Sequence, residues 1–167
     1  RPKPVFPSIP KGETVDANAY QAAAILAAHR AAGTYFRAAG VGSFVLQAGD
    51  GEPVVLMHGL PASSFLYRKV IPELATRGFR ALSFDWPGLG LADRPTEFDY
   101  TLSGISAWAA AAIDALGLDQ FHLVVHDAAP QLDVEPARAQ HVRGTTSRLV
   151  RRPVIGMRVV PRGGQDA

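Results

Sequence analysis

Apolar residues along this chain are spaced in two ways, and both patterns stop near residue 127. Three stretches carry helical spacing or helix-forming composition with end signals. DANAYQAAAILAAHRAAG (16–33) is Ala-rich, with Asp16 as N-cap and Gly33 as terminator. SSFLYRKVIPELATRG (63–78) has Ser63 or Ser64 as cap and an apolar side at Phe65, Val70, Leu74 and Ala75; Pro72 inside it should kink or break the helix. TLSGISAWAAAAIDALG (101–117) is capped by Thr101 and closed by Gly117. Three other stretches read as strands. SFVLQAGDGEPVVLMHG (43–59) holds two apolar runs split by an Asp-Gly turn signal, which predicts a hairpin. Within the first of these, PVVLMHG has no polar alternation until His58 and suits a strand buried on both faces; FRALSFDWPGLG (79–90) is a strand running into a Pro/Gly loop, and FHLVVHD (121–127) is another buried strand. TYFRAAG (34–40) either continues the first helix or forms a first strand.

From 43 to 127 strands and helices therefore alternate after the opening hairpin. That order predicts an α/β fold, a mostly parallel sheet with flanking helices. Right-handed crossovers bring the C-terminal ends of parallel strands to one edge, where open sheets of this kind bind ligands. His58, Asp85 and Asp127 all fall at such ends. Residues 1–15 form an extended, Pro-rich segment, and 16–127 the α/β unit. Residues 128–167 follow neither period, and Pro130, Pro136, Pro153 and Pro161 exclude a long helix there. An irregular, poorly ordered Arg/Pro-rich tail is expected, with VIGMRVV (154–160) as its one candidate strand.

Composition adds limits. A chain of 167 residues with 47% hydrophobic content suits one domain with a real core. The formal charge of +2 offers no strong field for nucleic acid or a membrane surface. The charge is uneven: 10 basic and 12 acidic residues in 1–127, against 7 and 3 in 128–167. Without cysteine there are no disulfides and no thiolate metal sites, and a reducing, cytoplasmic setting fits. No run approaches a transmembrane span, and RPKPVFPSIP lacks the apolar region of a signal peptide. Neither a metal nor an organic cofactor is expected.

Two motifs carry chemistry. In HGLPASS (58–64) a strand ends, Gly59 permits an unusual turn and Pro61 fixes the next φ, so that backbone N–H groups can line a cavity as an oxyanion hole requires. In VHDAA (125–129) Asp127 stands where a strand-to-helix elbow presents its nucleophile between small residues. A carboxylate there attacks carbon and forms an ester. The plainer alternatives are a βα turn for the first motif and a helix cap for the second.

With PVVLMHGLPASSFLYRKVIPELA, SFDWPGLGLADRP, YTLSGISAWAAAAIDALGL and FHLVVHD in this order, residues 34–127 resemble the N-terminal half of the α/β hydrolase family, in the branch of haloalkane dehalogenases and epoxide hydrolases. The resemblance implies Asp127 as nucleophile, the backbone N–H groups of Leu60 and Ala128 as oxyanion hole, and His58, Gly59 and Pro61 as the residues that shape it. It implies a small-molecule substrate of epoxide, carbon–halogen or ester-like type.

The chain departs from that family in three places. Leu60 and Ala128 occupy positions where dehalogenases carry side-chain donors for the departing halide. HDAAP replaces the family's H-D-x-G-G-P and its helix. The downstream acid and base are not recognisable; His141 is the one histidine after Asp127, in the Arg-rich segment. His29, His122 and His126 read as a surface or packing residue, a residue facing a neighbouring helix, and an elbow residue. These departures predict an incomplete α/β-hydrolase fold with little or no turnover. The competing expectation is a non-catalytic half-domain that binds a partner or self-associates through an exposed sheet edge. A third is a small flavodoxin-like domain for a phosphate-containing ligand.

Overall fold

The computed structural model describes residues 17–126, 136–142 and 145–151. Helix α1 (Ala17–Ala31) leads into β1 (Gly33–Ala38), so the stretch after Gly33 is a strand. It is followed by β2 (Val41–Ala48), β3 (Glu52–Met57), a 3-10 turn (Ser64–Tyr67), α2 (Val70–Thr76), β4 (Phe79–Phe84), α3 (Leu102–Ala115) and β5 (Gln120–His126). Strands β6 (Pro136–Val142) and β7 (Thr145–Arg151) fall within the segment for which the sequence shows no period. The candidate strand at 154–160 lies outside the described residues.

One seven-stranded sheet runs in the order β1-β2-β4-β3-β5-β7-β6. Its centre, β4-β3-β5, is parallel, with Val55 opposite both Leu82 and Leu123. Antiparallel strands flank it on both sides.

The opening hairpin differs from the expectation for 43–59. β2 and β3 are not neighbours, because β4 lies between them. The hairpin is β1–β2, turned at Ala39 and Gly40, both at positive φ. Asp50-Gly51 is a crossing rather than a hairpin turn. A Cβ on Gly51 would strike the Gly78 carbonyl, so the strand entrance passes directly against the end of the α2–β4 turn. Local turn chemistry cannot distinguish a hairpin from such a crossing, since both need glycine.

Period-two alternation divides the core between the two faces. Val55, Met57, Leu82 and Phe84 point toward α3 and its buried Ile105, Trp108, Ala109, Ala112 and Ile113. Val54, Leu56, Phe44, Leu46 and Ala81 point the other way, against Tyr67 and Ile71. Each fully buried large side chain contributes about 1.5–3 kcal/mol through removal from water. Alanines on α3 keep its buried face small, and the Trp108 indole N–H donates to the Ala38 carbonyl at 3.0 Å, tying α3 to β1. Thr101 caps α3 by accepting the Gly104 N–H at 3.2 Å, as read from the sequence.

The helical stretch 63–78 breaks at Arg68–Lys69, between the 3-10 turn and α2. Pro72 is the third residue of α2. It lies in the first turn, where a missing N–H loses no intrahelical bond.

Candidate active site

The parallel centre delivers three chain segments to one sheet edge. β3 ends at Met57, β4 at Phe84 and β5 at His126, and Met57 is registered with Val125. His58 and Asp85 follow the first two directly, and both are fully buried. Asp127 and Ala128, the candidate nucleophile and second oxyanion donor, lie outside the described residues, as does any helix that follows them.

The 58–64 turn is tightly specified. His58 Nδ1 lies 3.0 Å from the Gly59 carbonyl oxygen, and the imidazole stacks on Trp86 with centroids 4.4 Å apart and planes 19° apart. Burial pushes the His58 pKa below its ordinary value; the Gly59 carbonyl and Asp85 oppose that shift without cancelling it. Among the described residues, His58 Nε2 and Trp86 Nε1 find no hydrogen-bond partner. The Leu60–Pro61 peptide is cis. The Ala62 N–H donates to the Gly59 carbonyl at 2.9 Å and closes the turn. Leu60 is exposed, and among the described residues nothing accepts its N–H. Gly59 and Pro61 lie on the same turn, Gly59 buried and Pro61 exposed.

Asp85 anchors this turn. Its Oδ1 accepts the Ser64 N–H at 2.6 Å and its Oδ2 accepts the Leu91 N–H at 2.7 Å. Its backbone is fixed as well: its N–H donates to the Phe44 carbonyl at 2.9 Å, and its carbonyl accepts the Ser43 hydroxyl at 2.5 Å. A Cβ on Gly90 would run into the carboxylate, so the loop after β4 closes over Asp85 only with glycine there. A buried carboxylate that accepts two backbone N–H groups is a strong, charge-assisted clamp. From below, the Tyr67 hydroxyl donates to the Met57 carbonyl at 2.9 Å; burial pushes its pKa up to about 12, so it stays a neutral donor.

The sequence reading placed Asp85 at the sheet edge without a task. Its work as a clamp was not legible, because the partners are backbone groups 21 and 6 residues away. Other histidines resolve differently. Among the described residues His122 meets strand side chains: its Nε2 lies 3.1 Å from Glu52 Oε1, across the β3–β5 pair, and its ring is edge-on to Phe79. The register explains this, since His122 is opposite Val54 and the long Glu52 side chain reaches it on one face. His126 is exposed at the end of β5. His29 is a packing residue, edge-on to Phe65 and tilted against Phe44, and it also reaches Ser64. His141 lies on β6 opposite Thr146.

Among the described residues no group of three or more His, Asp or Glu is arranged to hold a metal ion, and no helix is long and apolar enough to cross a membrane.

Residues 52–129 match the model of the alpha/beta hydrolase fold family. The parallel β4-β3-β5 centre, with the clamped turn at its edge, lies almost wholly within that match. This part of the chain has the α/β-hydrolase fold.

The matched segment is 43% identical over 79 residues to a haloalkane dehalogenase of Mycobacterium marinum, covering 47% of this chain and 27% of that protein. It is 38% identical over 98 residues to haloalkane dehalogenase 2 of Mycobacterium tuberculosis, covering 58% and 34%. The structure of an epoxide hydrolase from Vigna radiata superposes with a TM-score of 0.54 at 32% identity, over 57% of this chain and 31% of that one. The chain thus spans about a third or less of the length of these relatives.

Proposed function

We infer that this hydrolase segment supplies the nucleophile and oxyanion turn for a reaction on small epoxide, carbon–halogen or ester-like substrates, with Asp127 as nucleophile. The observation that carries the reading is the turn at 58–64. It is clamped by Asp85 at the edge where β5 ends, one residue before Asp127 in the sequence, and among the described residues nothing accepts the Leu60 N–H. In this scheme an Asp127 carboxylate oxygen attacks the electrophilic carbon. A carbon–oxygen bond forms, and the bond to the epoxide oxygen or leaving group breaks with its electron pair. Water must then attack the ester carbonyl, whose developing oxyanion the Leu60 and Ala128 N–H groups would stabilise.

The second step needs a general base. Among the described residues, His58 is fully buried against Trp86 and made less basic by burial, which unsuits it to that task. Ester formation should therefore outrun ester hydrolysis. Leu60 and Ala128 also lack side-chain donors for a departing halide, which favours epoxide or ester-like substrates over haloalkanes.

The test is a panel of epoxides, haloalkanes and esters with Asp127→Asn as control, read both as turnover and as intact mass. Little or no turnover, with a covalent adduct that Asp127→Asn abolishes, is the expected result. Absence of both turnover and adduct would remove the catalytic reading. Robust multiple turnover abolished by the control would overturn the argument about the missing base.

A second reading has its own observation. An apolar groove of about 650 Å³ lies between α1, β2 and α2, lined in part by Ile25, Leu46, Phe65 and Ile71. Exposed Ile25, Leu26, Leu66 and Val70 add to the apolar surface of these elements. Surface of this kind suits a non-catalytic interaction module. Concentration-dependent sedimentation would support it, and a monodisperse monomer with a cooperative melt would count against it.

A further inference from the structure

Helix α1 lies outside the residues that match the hydrolase family, and its seat on the sheet centres on one polar side chain. Among the described side chains of α1, His29 is the one that is buried, at 7% exposure. Its ring packs 5.0 Å from Phe44 and 5.1 Å from Phe65, and its Nε2 lies 3.3 Å from the Ser64 hydroxyl. Ser64 is itself fully buried, and it is the residue whose N–H is held by Asp85. An unbroken chain of polar contacts therefore runs from α1 through Ser64 to Asp85 and on to the Leu91 N–H. It joins a helix on one face to both loops at the sheet edge.

We propose that His29 is a positioning residue for the 58–64 turn: from α1 it fixes Ser64, and through Ser64 it sets the direction of the Leu60 N–H four residues earlier. The steric logic supports this. Ser64 begins the 3-10 turn, so a rotation there is carried back into a segment closed by the Ala62-to-Gly59 bond. Ser64 is held at two different groups, its hydroxyl by His29 and its N–H by Asp85, which leaves the buried residue few alternative orientations. In this arrangement His29 acts through Ser64. The proposal rests on the reading of this turn as an oxyanion turn for its functional meaning alone; the mechanical coupling needs no substrate.

The test separates positioning from packing. His29→Phe keeps an aromatic ring against Phe44 and Phe65 but loses the nitrogen facing Ser64; His29→Gln keeps a polar partner. Amide hydrogen exchange on the full chain reads the turn at Ala62 and Ser64 and the sheet at Val55 and Leu82. In His29→Phe, exchange at Ala62 and Ser64 rises about tenfold while Val55 and Leu82 stay unchanged, and His29→Gln returns the turn to within about threefold of the parent. Unchanged turn amides in His29→Phe would overturn the proposal. So would a uniform rise at all four sites, or a failure of His29→Gln to rescue.

Ser64→Ala removes the other partner and decides the matter if His29→Phe does not fold. It should raise exchange at Ala62 to the same degree, and parent-like exchange at Ala62 in that variant would equally overturn the proposal. Because no substrate is used, an inactive chain with intact coupling would count against the catalytic reading alone.

Discussion

Ser64 donates its N–H to Asp85 Oδ1 at 2.6 Å, so the turn after β3 is held by the residue that follows β4. Asp85→Ala would leave the Ser64 and Leu91 N–H groups without their acceptor in a dry site. The expected loss is about 2–5 kcal/mol, with Asp85→Asn nearer about 1–3 because one acceptor oxygen remains. Urea midpoints at constant m measure it. A change below about 0.5 kcal/mol in Asp85→Ala would mean that the two loops are stable independently.

Three glycines should separate steric crowding from backbone conformation. Gly40 sits at φ 80° with nothing near its Cβ position, so Gly40→Ala should cost only the conformational penalty, about 1–2 kcal/mol. Gly51→Ala would press on the Gly78 carbonyl and Gly90→Ala on the Asp85 carboxylate. Each should cost about 2–3 kcal/mol or more, since backbone and a clamped carboxylate have no room to yield. Thermal melts rank the three, and equal losses would refute the crowding argument.

Burial lowers the pKa of both His29 and His58 below 6.5. For His29, Asp85 pulls the other way and Arg68 adds to the lowering. The unfolded chain therefore takes up protons at a higher pH than the folded one. By linkage, the stability from keeping these rings neutral is fully present above pH 6.5 and is lost as pH falls through the folded values. Melting temperature should be level above neutrality and fall toward pH 5, on the order of the window where histidine titrates. His29→Gln should make that slope shallower, and an unchanged slope in both His29→Gln and His58→Gln would rule these residues out as its source.

Trp108 joins α3 to β1 through one hydrogen bond to the Ala38 carbonyl, in addition to its packing. Trp108→Phe removes the donor and part of the ring. A loss of about 2–3 kcal/mol is expected from the unpaired carbonyl and the smaller side chain together. Denaturant unfolding checks it; a loss confined to the packing share, about 1 kcal/mol, would show that water satisfies the carbonyl.

The fold was legible wherever periodicity and end signals agreed. Thr101 and Gly117 bounded α3, Ser63 marked the start of the 3-10 turn, and the apolar runs at 54–57 and 123–125 lie in the parallel centre. The hairpin at 43–59 misled because Asp50-Gly51 satisfies the same backbone demand in a crossing as in a turn. The Glu52 partner of His122 was not legible because it depends on register, which one strand does not reveal. At the site, His58, Gly59, Leu60 and Pro61 were legible as a motif. The clamp of Asp85 and the reach of His29 to Ser64 were not, since both depend on contacts between elements distant in sequence.

Strand β5 is hydrogen-bonded on both sides, to β3 in parallel and to β7 in antiparallel register from Gln120–Arg151 through His126–Thr145. The lateral donors and acceptors of β5 are thus already taken. Any further strand seeking a place beside β5 has to displace β7, so enlargement of the sheet there is an exchange reaction and not an addition. Its rate would saturate at the rate of β7 unpairing, however concentrated the incoming strand. The outer edges left for simple addition are β1 and β6.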